Sequence, residues 1–299
     1  MRRQFLSSLS LVAIPLVALA VLYLLPILYL ARNSLNGFNP MTGIVDTITT
    51  SNYNRFVTDP YYLLVLWRTI RISLLVTVAC AVIGYPTSYF LAHLARRTRM
   101  WLITVLLMPL VTSAIVVSYG WLVLLGQQGL INELLLDLRL VQQPIQLIYD
   151  ENGVVIGLVQ VLLPFMVLAL AASLQGLDFN LVRAARSLGA SPWRAFWKIV
   201  FPLSLPGLRT GSLLVFSSSM SAYATPALLG GPQVKVVSYL IYEQATSVLN
   251  WPFAASISVL LLAVTAGILG LASAYGQLQS WRRKRASTIL PKVELGVAS

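Results

Sequence analysis

Acidic side chains are scarce in this chain: nine Asp and Glu stand among 299 residues, beside one cysteine, Cys80, and one histidine, His93. A lone cysteine leaves no disulfide, and no His/Cys cluster of metal-ligand spacing can be drawn, so zinc and thiol chemistry have no material. Cys80 lies in an apolar run and reads as a small buried hydrophobe. His93 closes the same run and reads as an interfacial residue. An intramembrane hydrolase would need His93 beside a serine and a carboxylate, yet the long apolar runs contain no Asp or Glu. The same absence argues against a proton-driven carrier, which relies on buried carboxylates. No G-x-x-x-x-G-K-S/T occurs, so any nucleotide hydrolysis has to come from another polypeptide.

What the chain has in quantity is apolar sequence. It is 58% hydrophobic and 10% charged, with a mean hydropathy of +0.79, which marks an integral membrane protein. Six stretches of spanning length can be drawn, at about 9–31, 70–93, 101–125, 153–173, 207–229 and 251–275. The first follows a basic start, "MRRQF", but is too long for a signal peptide and lacks a small-residue cleavage site, so it reads as a retained helix. An even number of spans puts both termini on one side, and Lys and Arg decide which. Fifteen of the 21 basic residues fall on the side of the termini, in the N-terminus, the second and fourth loops, and the C-terminus with Lys292. Only Asp178 and Glu294 among the acids join them. The termini are therefore expected in the cytoplasm. The net charge of +12 is then mostly topology, and nucleic acid is an unneeded explanation.

The outer loops carry no folded extramembrane domain, so 1–299 reads as one all-α transmembrane domain. The first, about 32–69, is polar and turn-rich. The second holds "LINELLLDLRL", with Leu130, Leu134 and Leu138 at helical spacing opposite Glu133 and Asp137, and is expected to lie flat at the interface or cover a mouth. The third, "GGPQVKVVSYLIYEQATSVLNWP", is long enough for a re-entrant or docking segment.

The fourth loop, 174–206, is different. Asp178 can cap a helix through "FNLVRAARSL", with Leu181, Ala184, Ala185 and Leu188 on one face. Gly189 follows at a left-handed helix end, and Ser191-Pro192 opens a second helix. There Trp193, Phe196, Trp197 and Val200 share one face, and Arg194 and Lys198 another. Periodicity alone fits either an interfacial anchor, with rings at headgroup depth and cations toward anionic phosphates, or a docking element for a cytoplasmic partner.

The wording of this loop resembles the cytoplasmic signature of ABC-importer permeases: Glu-Ala-Ala, three residues, Gly, nine residues, Ile, one residue, Leu-Pro. Ala184, Ala185, Gly189, Ile199 and Pro202 match at the family's spacing, while Arg183 replaces Glu and Phe201 replaces Leu. "SAYATPALLGGP" and "LNWPFAASISVLLLAVT" look like the fifth and sixth helices of the spermidine/putrescine-type permeases. The resemblance implies six transmembrane helices in a bacterial inner membrane. It also implies a coupling helix between helices four and five that inserts into a groove on an ATPase. On that reading Arg183, Ala184, Ala185, Gly189, Ala190, Pro192, Trp193, Phe196, Trp197, Ile199 and Pro202 form the ATPase-coupling element, the aromatic residues being buried anchors. Arg183 removes or reverses any ion pair the family makes with its Glu.

The implied partners are two ATPase subunits carrying ATP and Mg, a second and homologous permease, an extracytoplasmic solute-binding protein, and lipid. No cofactor is expected on this chain, and no covalent reaction. Polar residues inside the spans supply a candidate translocation path: Thr112, Ser113 and Tyr119, Gln160 beside Pro164, and Ser217, Ser218 and Tyr223 in "SSSMSAYAT". Singly such groups also glue helices together, with Ser118 another example, and the tyrosines could equally be packing or could contact an amine. The expected cargo is a polyamine or related amine-bearing solute. The rival reading is an ATPase-independent channel or secondary carrier.

Overall fold

The computed structural model describes the backbone of residues 2–288, with side chains at 15 and 17–276. Lys292 and Glu294, used above in the charge argument, lie outside the described residues, and the side chains of Arg2, Arg3, Arg282, Arg283, Lys284 and Arg285 lie outside the described side chains.

The chain is a succession of helices: α1 (Arg2–Asn33), α2 (Ser51–Thr58), α3 (Pro60–His93), α4 (Arg96–Val111), α5 (Ala114–Leu125), α6 (Leu130–Asp137), α7 (Glu151–Gln175), α8 (Asn180–Ser187), α9 (Pro192–Ala195), α10 (Phe201–Ser221), α11 (Val237–Thr246) and α12 (Trp251–Thr288). Two short strands, β1 (Gly37–Asn39) and β2 (Gly43–Val45), pair antiparallel between α1 and α2, with Phe38 opposite Ile44. Among the described residues, five stretches are long and apolar enough to cross a membrane: Pro60–His93, Ala114–Asp137, Glu151–Gln175, Pro192–Ser221 and Trp251–Gly276, with the shorter apolar Val17–Asn33 before them.

Helix ends depart from the expected spans where local chemistry intervenes. The structure starts α3 at Pro60 rather than near residue 70, because Asp59 Oδ1 accepts the Tyr61 amide at 2.9 Å and Pro60 supplies a preset first turn. The stretch 101–125 is two helices instead of one. Pro109 weakens the end of α4, and Ser113 takes an extended backbone (φ −57°, ψ 131°) from which α5 starts afresh. The stretch 207–229 stops being regular helix at Ser221, and a π-helical turn, Pro226–Gly230, follows. α6 forms, but its buried residue is Asn132. The Asn132 amide nitrogen donates to Gly126 O and Ile145 O, and its oxygen accepts the Ile145 amide, so one side chain closes the loop while Leu130 and Leu134 stay exposed.

The helices divide into two compact units. The first comprises Met1–Val76, Met108–Val161 and Ser219–Leu262. Its core gathers Phe56, Tyr62, Val65, Val237, Leu240, Phe253 and Ile257, with the Arg55 guanidinium 4.6 Å from the centre of the Phe253 ring. The apolar face of α11, Val237 and Leu240, supplies part of that core, so the segment expected as the third outer loop holds a packed helix.

The second unit comprises Thr77–Leu107, Leu162–Ser218 and Ala263–Ser299. Lipid chains are as apolar as leucine, so helices in a membrane gain little from excluding water and depend on close approach. Here glycine provides it. A Cβ on Gly207 would lie 2.4 Å from Ser173 Cβ and 2.7 Å from Ala169 O, and one on Gly211 would lie 2.7 Å from Met166 Sδ. Gly207 and Gly211 form a G-x-x-x-G on α10 that seats it against α7. From α3, Gly84 faces Met166, and the Ser88 hydroxyl donates to Val167 O at 3.1 Å.

Candidate functional site

The loop between α7 and α10 belongs to the second unit and is a two-helix element. Asp178 Oδ1 accepts the Asn180 amide at 2.9 Å and starts α8. No residue of α8 is buried: Arg183 and Ala184 are exposed, Ala185 is half-buried, and Leu181 is 51% exposed. Leu188, just beyond the helix, is 89% exposed. The turn closes through Leu188 N to Ala184 O, Gly189 N to Arg186 O and Ala190 N to Ala185 O. Gly189 has φ +86°, while an added Cβ would meet nothing within 4 Å, so glycine is demanded there by the backbone and not by space. Ser191 Oγ then accepts the Arg194 amide at 3.3 Å, with Pro192 opening α9. The winding widens to a π-helical turn over Phe196–Val200 and continues as α10, with Ile199 half-buried and Pro202 in its first turn.

After Gly189 part of the run turns inward. Ala195 and Val200 are buried. Phe196 sits at the centre of an aromatic cluster, its ring 5.5 Å from Tyr85, 6.0 Å from Tyr89, 5.3 Å from Trp197 and 6.4 Å from Phe201. The Tyr85 and Ser204 hydroxyls share a 2.7 Å hydrogen bond that links α3 to α10. Around these rings lies a groove of about 680 Å³ lined by Tyr85, Tyr89, Trp193, Phe196, Trp197 and Phe201. His93 joins from the end of α3, its ring 4.8 Å from Phe179 and its Nδ1 2.8 Å from Tyr89 O. The expected set of aromatic anchors is thus divided. Phe196 is committed to the chain's own packing, whereas Trp193 and Trp197 remain 71% and 46% exposed. Leu181 and Leu188 also face outward, on the face that carries Ala184 and Ala185, though the expected coupling set did not include these two leucines.

The candidate path residues fall in both units: Thr112, Ser113, Tyr119, Gln160 and Tyr223 in the first, Ser217 and Ser218 in the second. Thr112, just past α4, and Ser217 donate to carbonyls of the preceding turn, Met108 O and Leu214 O. Ser113 begins α5, and Ser218 is half-buried. The Gln160 side chain accepts the Trp121 indole N–H, and the Ser118 hydroxyl donates to Thr225 Oγ1 at 3.2 Å, so these groups join helices within the first unit. Tyr119 is 56% exposed.

Tyr223 belongs to a group that sequence reasoning only half found: its ring lies 4.7 Å from Tyr242 and 6.4 Å from Tyr239. Beside them the Lys235 ammonium donates to both carboxylate oxygens of Glu243 at 3.0 Å. Helical spacing on α11 would have placed Tyr239, Tyr242 and Glu243 together. Among the described residues no group of three or more His, Cys, Asp and Glu could hold a metal ion.

Comparison with known proteins bears on this arrangement. Residues 84–283 match the family model described as "Binding-protein-dependent transport system inner membrane component". The chain is 37% identical to the spermidine/putrescine transport system permease protein PotB of Escherichia coli K12, over 83% of this chain and 86% of that one. It is 34% identical to the molybdenum transport system permease protein ModB of the same organism, over 56% and 71%. Among solved structures, the bacterial alginate ABC transporter in complex with alginate pentasaccharide-bound periplasmic protein aligns with a TM-score of 0.73 at 14% identity, covering 91% of this chain and 93% of that one.

Proposed function

From its membership of the binding-protein-dependent inner membrane component family, which makes this chain a multi-pass permease subunit of an ABC importer, we propose that it passes polyamines inward and is driven through the α8–Gly189–α9 loop. ATP hydrolysis then belongs to separate ATPase subunits, with ATP and Mg held there. A second permease and an extracytoplasmic binding protein complete the assembly. The substrate reading rests on the 37% identity to a spermidine/putrescine permease over most of both chains. Relatives named for molybdenum and alginate share the family or the fold, so the scaffold alone does not select the cargo. The basic residues of the termini and of this loop support a cytoplasmic placement for all three.

The observation that carries the coupling role is the exposure of α8. A helix with Leu181 and its C-terminal neighbour Leu188 uncovered, small Ala184 between them and a glycine turn after it suits insertion into a groove on a partner. The cluster around Phe196 then ties that helix to α3 and α10, so that a push on the loop moves two long helices as one. Trp193 and Trp197 border this docking surface, and Phe196 serves it from within.

The test is co-purification of the ATPase from mild detergent. Leu188→Asp should reduce ATPase recovery at least tenfold while the permease remains inserted, and Trp197→Asp should do so less. Full ATPase recovery with Leu188→Asp removes α8 from the interface. For the substrate, membranes containing the complete transporter should take up radiolabelled spermidine in an ATP-dependent way. Absence of that uptake rejects the polyamine reading.

A further inference from the structure

The side of α11 away from the core is a row of tyrosines ending in a carboxylate. Val237 and Leu240 go to the core of the first unit, which leaves Tyr239, Tyr242 and Glu243 on the other face. The segment facing them is fixed at several points. The Ser238 hydroxyl donates to Ala222 O at 2.5 Å, holding Tyr223 against α11. Val237 N donates to Thr69 Oγ1 at 3.0 Å, and Arg68 donates to Gln233 O at 3.1 Å while pairing with Glu151 at 3.2 Å.

Into this setting the chain places an ammonium of its own. Lys235 Nζ lies 3.0 Å from both Glu243 oxygens and 5.5 Å from the centre of the Tyr239 ring, which stacks on Tyr223 at 6.4 Å, and Tyr223 in turn meets Tyr242 at a tilt. A carboxylate that takes two hydrogen bonds and a ring face that takes the remaining charge are what an alkylammonium needs to leave water. An ordinary exposed ion pair is worth little and calls for no aromatic wall. Lys235 and Glu243 are each only about a quarter to a third exposed, at 25% and 30%, so both are partly desolvated.

We propose that Tyr223, Tyr239, Tyr242 and Glu243 form a binding site for one ammonium group of a polyamine, and that Lys235 occupies it as a placeholder until the substrate displaces it. This rests on the polyamine reading above. A placeholder keeps Glu243 compensated when the transporter is empty, and it sets a threshold: the incoming amine has to outcompete a tethered one. Displacement breaks and forms only hydrogen bonds and ring contacts, and the released Lys235 ammonium returns to water.

Two substitutions that break the same ion pair separate a placeholder from a structural bridge. Spermidine binding is measured by equilibrium dialysis of radiolabelled ligand against the purified permease–ATPase complex without its binding protein. Lys235→Met should tighten binding about tenfold by removing the competitor, and Glu243→Gln should weaken it about tenfold by removing the carboxylate. Tyr239→Leu, which leaves every charge in place, should weaken it about fivefold and serves where Glu243→Gln fails to assemble. If Lys235→Met and Glu243→Gln shift binding in the same direction or not at all, the pair is a structural bridge and the site is rejected. ATP-dependent spermidine uptake by the unaltered transporter is measured alongside. Its absence rejects the substrate and this ligand together, whereas uptake with indistinguishable variants rejects the site alone.

Discussion

Both units of this protein carry an aromatic cluster, and the two are built for different work. In the second unit Phe196 is surrounded by Tyr85, Tyr89, Trp197 and Phe201, and the polar supplement is one hydroxyl pair, Tyr85 with Ser204. In the first unit Tyr223, Tyr239 and Tyr242 stand beside a carboxylate and an ammonium. Rings that meet rings at 5 to 6 Å give directional packing worth about 0.5–1.5 kcal/mol per pair beyond area, and so give stiffness. Rings that meet a charge give recognition. The difference teaches that aromatic content alone does not mark a binding site; the partly exposed Lys235–Glu243 pair beside the rings sets this cluster apart.

The largest effect is expected at the glycine seam of the second unit. Gly207→Leu forces side-chain atoms into Ser173 and Ala169 O, and should cost at least about 3 kcal/mol, seen as loss of the assembled complex in a thermal-shift assay. Survival of the complex at its original melting temperature would mean that α10 and α7 are not held by close approach. Next comes an exchange of effects between the clusters. Phe196→Ala should cost about 2–3 kcal/mol of stability and most of the uptake, whereas Tyr223→Ala should cost under about 1 kcal/mol but several-fold in spermidine binding. If both variants lose stability equally, the two clusters do the same job.

A smaller effect is expected at the hinge. Gly189→Val at φ +86° should cost about 1–2 kcal/mol and several-fold in uptake, with Gly189→Asn recovering most of it because asparagine tolerates that backbone. Uptake by the Val variant at the level of Asn would show that the turn accepts another geometry. The smallest effect concerns Lys235. Burial lowers its pKa, but the hydrogen bonds to Glu243, with Tyr61, Glu243 and Tyr239 nearby, outweigh that and hold it above its ordinary 10.5. A raised value means the ion pair's contribution is complete below pH 10.5 and is lost as pH rises through the folded value. Protease protection of the 231–236 loop should therefore be flat through neutral pH and fall only in strong alkali; a decline near pH 8 would contradict this.

Much of the architecture was legible because apolar length and punctuation are local signals. The Asp178 start, the Gly189 turn and the Ser191-Pro192 cap all formed where the residue types called for them. The break at Thr112-Ser113 was hidden because a spanning-length window averages over two residues, and hydropathy says nothing of backbone angle. Asn132 escaped notice because leucine periodicity on α6 points to the opposite face, while its hydrogen-bond partners, Gly126 and Ile145, come from outside the helix. The G-x-x-x-G at Gly207 was there to be read, but its counterparts at Ser173 and Met166 are defined only by packing. The roles of the path residues were not legible for the same reason. A serine on a helix looks alike whether it faces a solute or donates to a carbonyl within its own last turn, as Ser217 does.

The π-helical turn at Phe196–Val200 also bears on how this loop can change over time. Along a regular α-helix each residue advances the face by about 100°, so removing one residue swings everything beyond it out of phase. A π-helical turn stores one residue more than α winding requires. Removal of one residue there lets the turn relax to α while α9 and α10 keep their original facing. Of all the positions along this helical run, 196–200 is where a change in chain length is most easily absorbed.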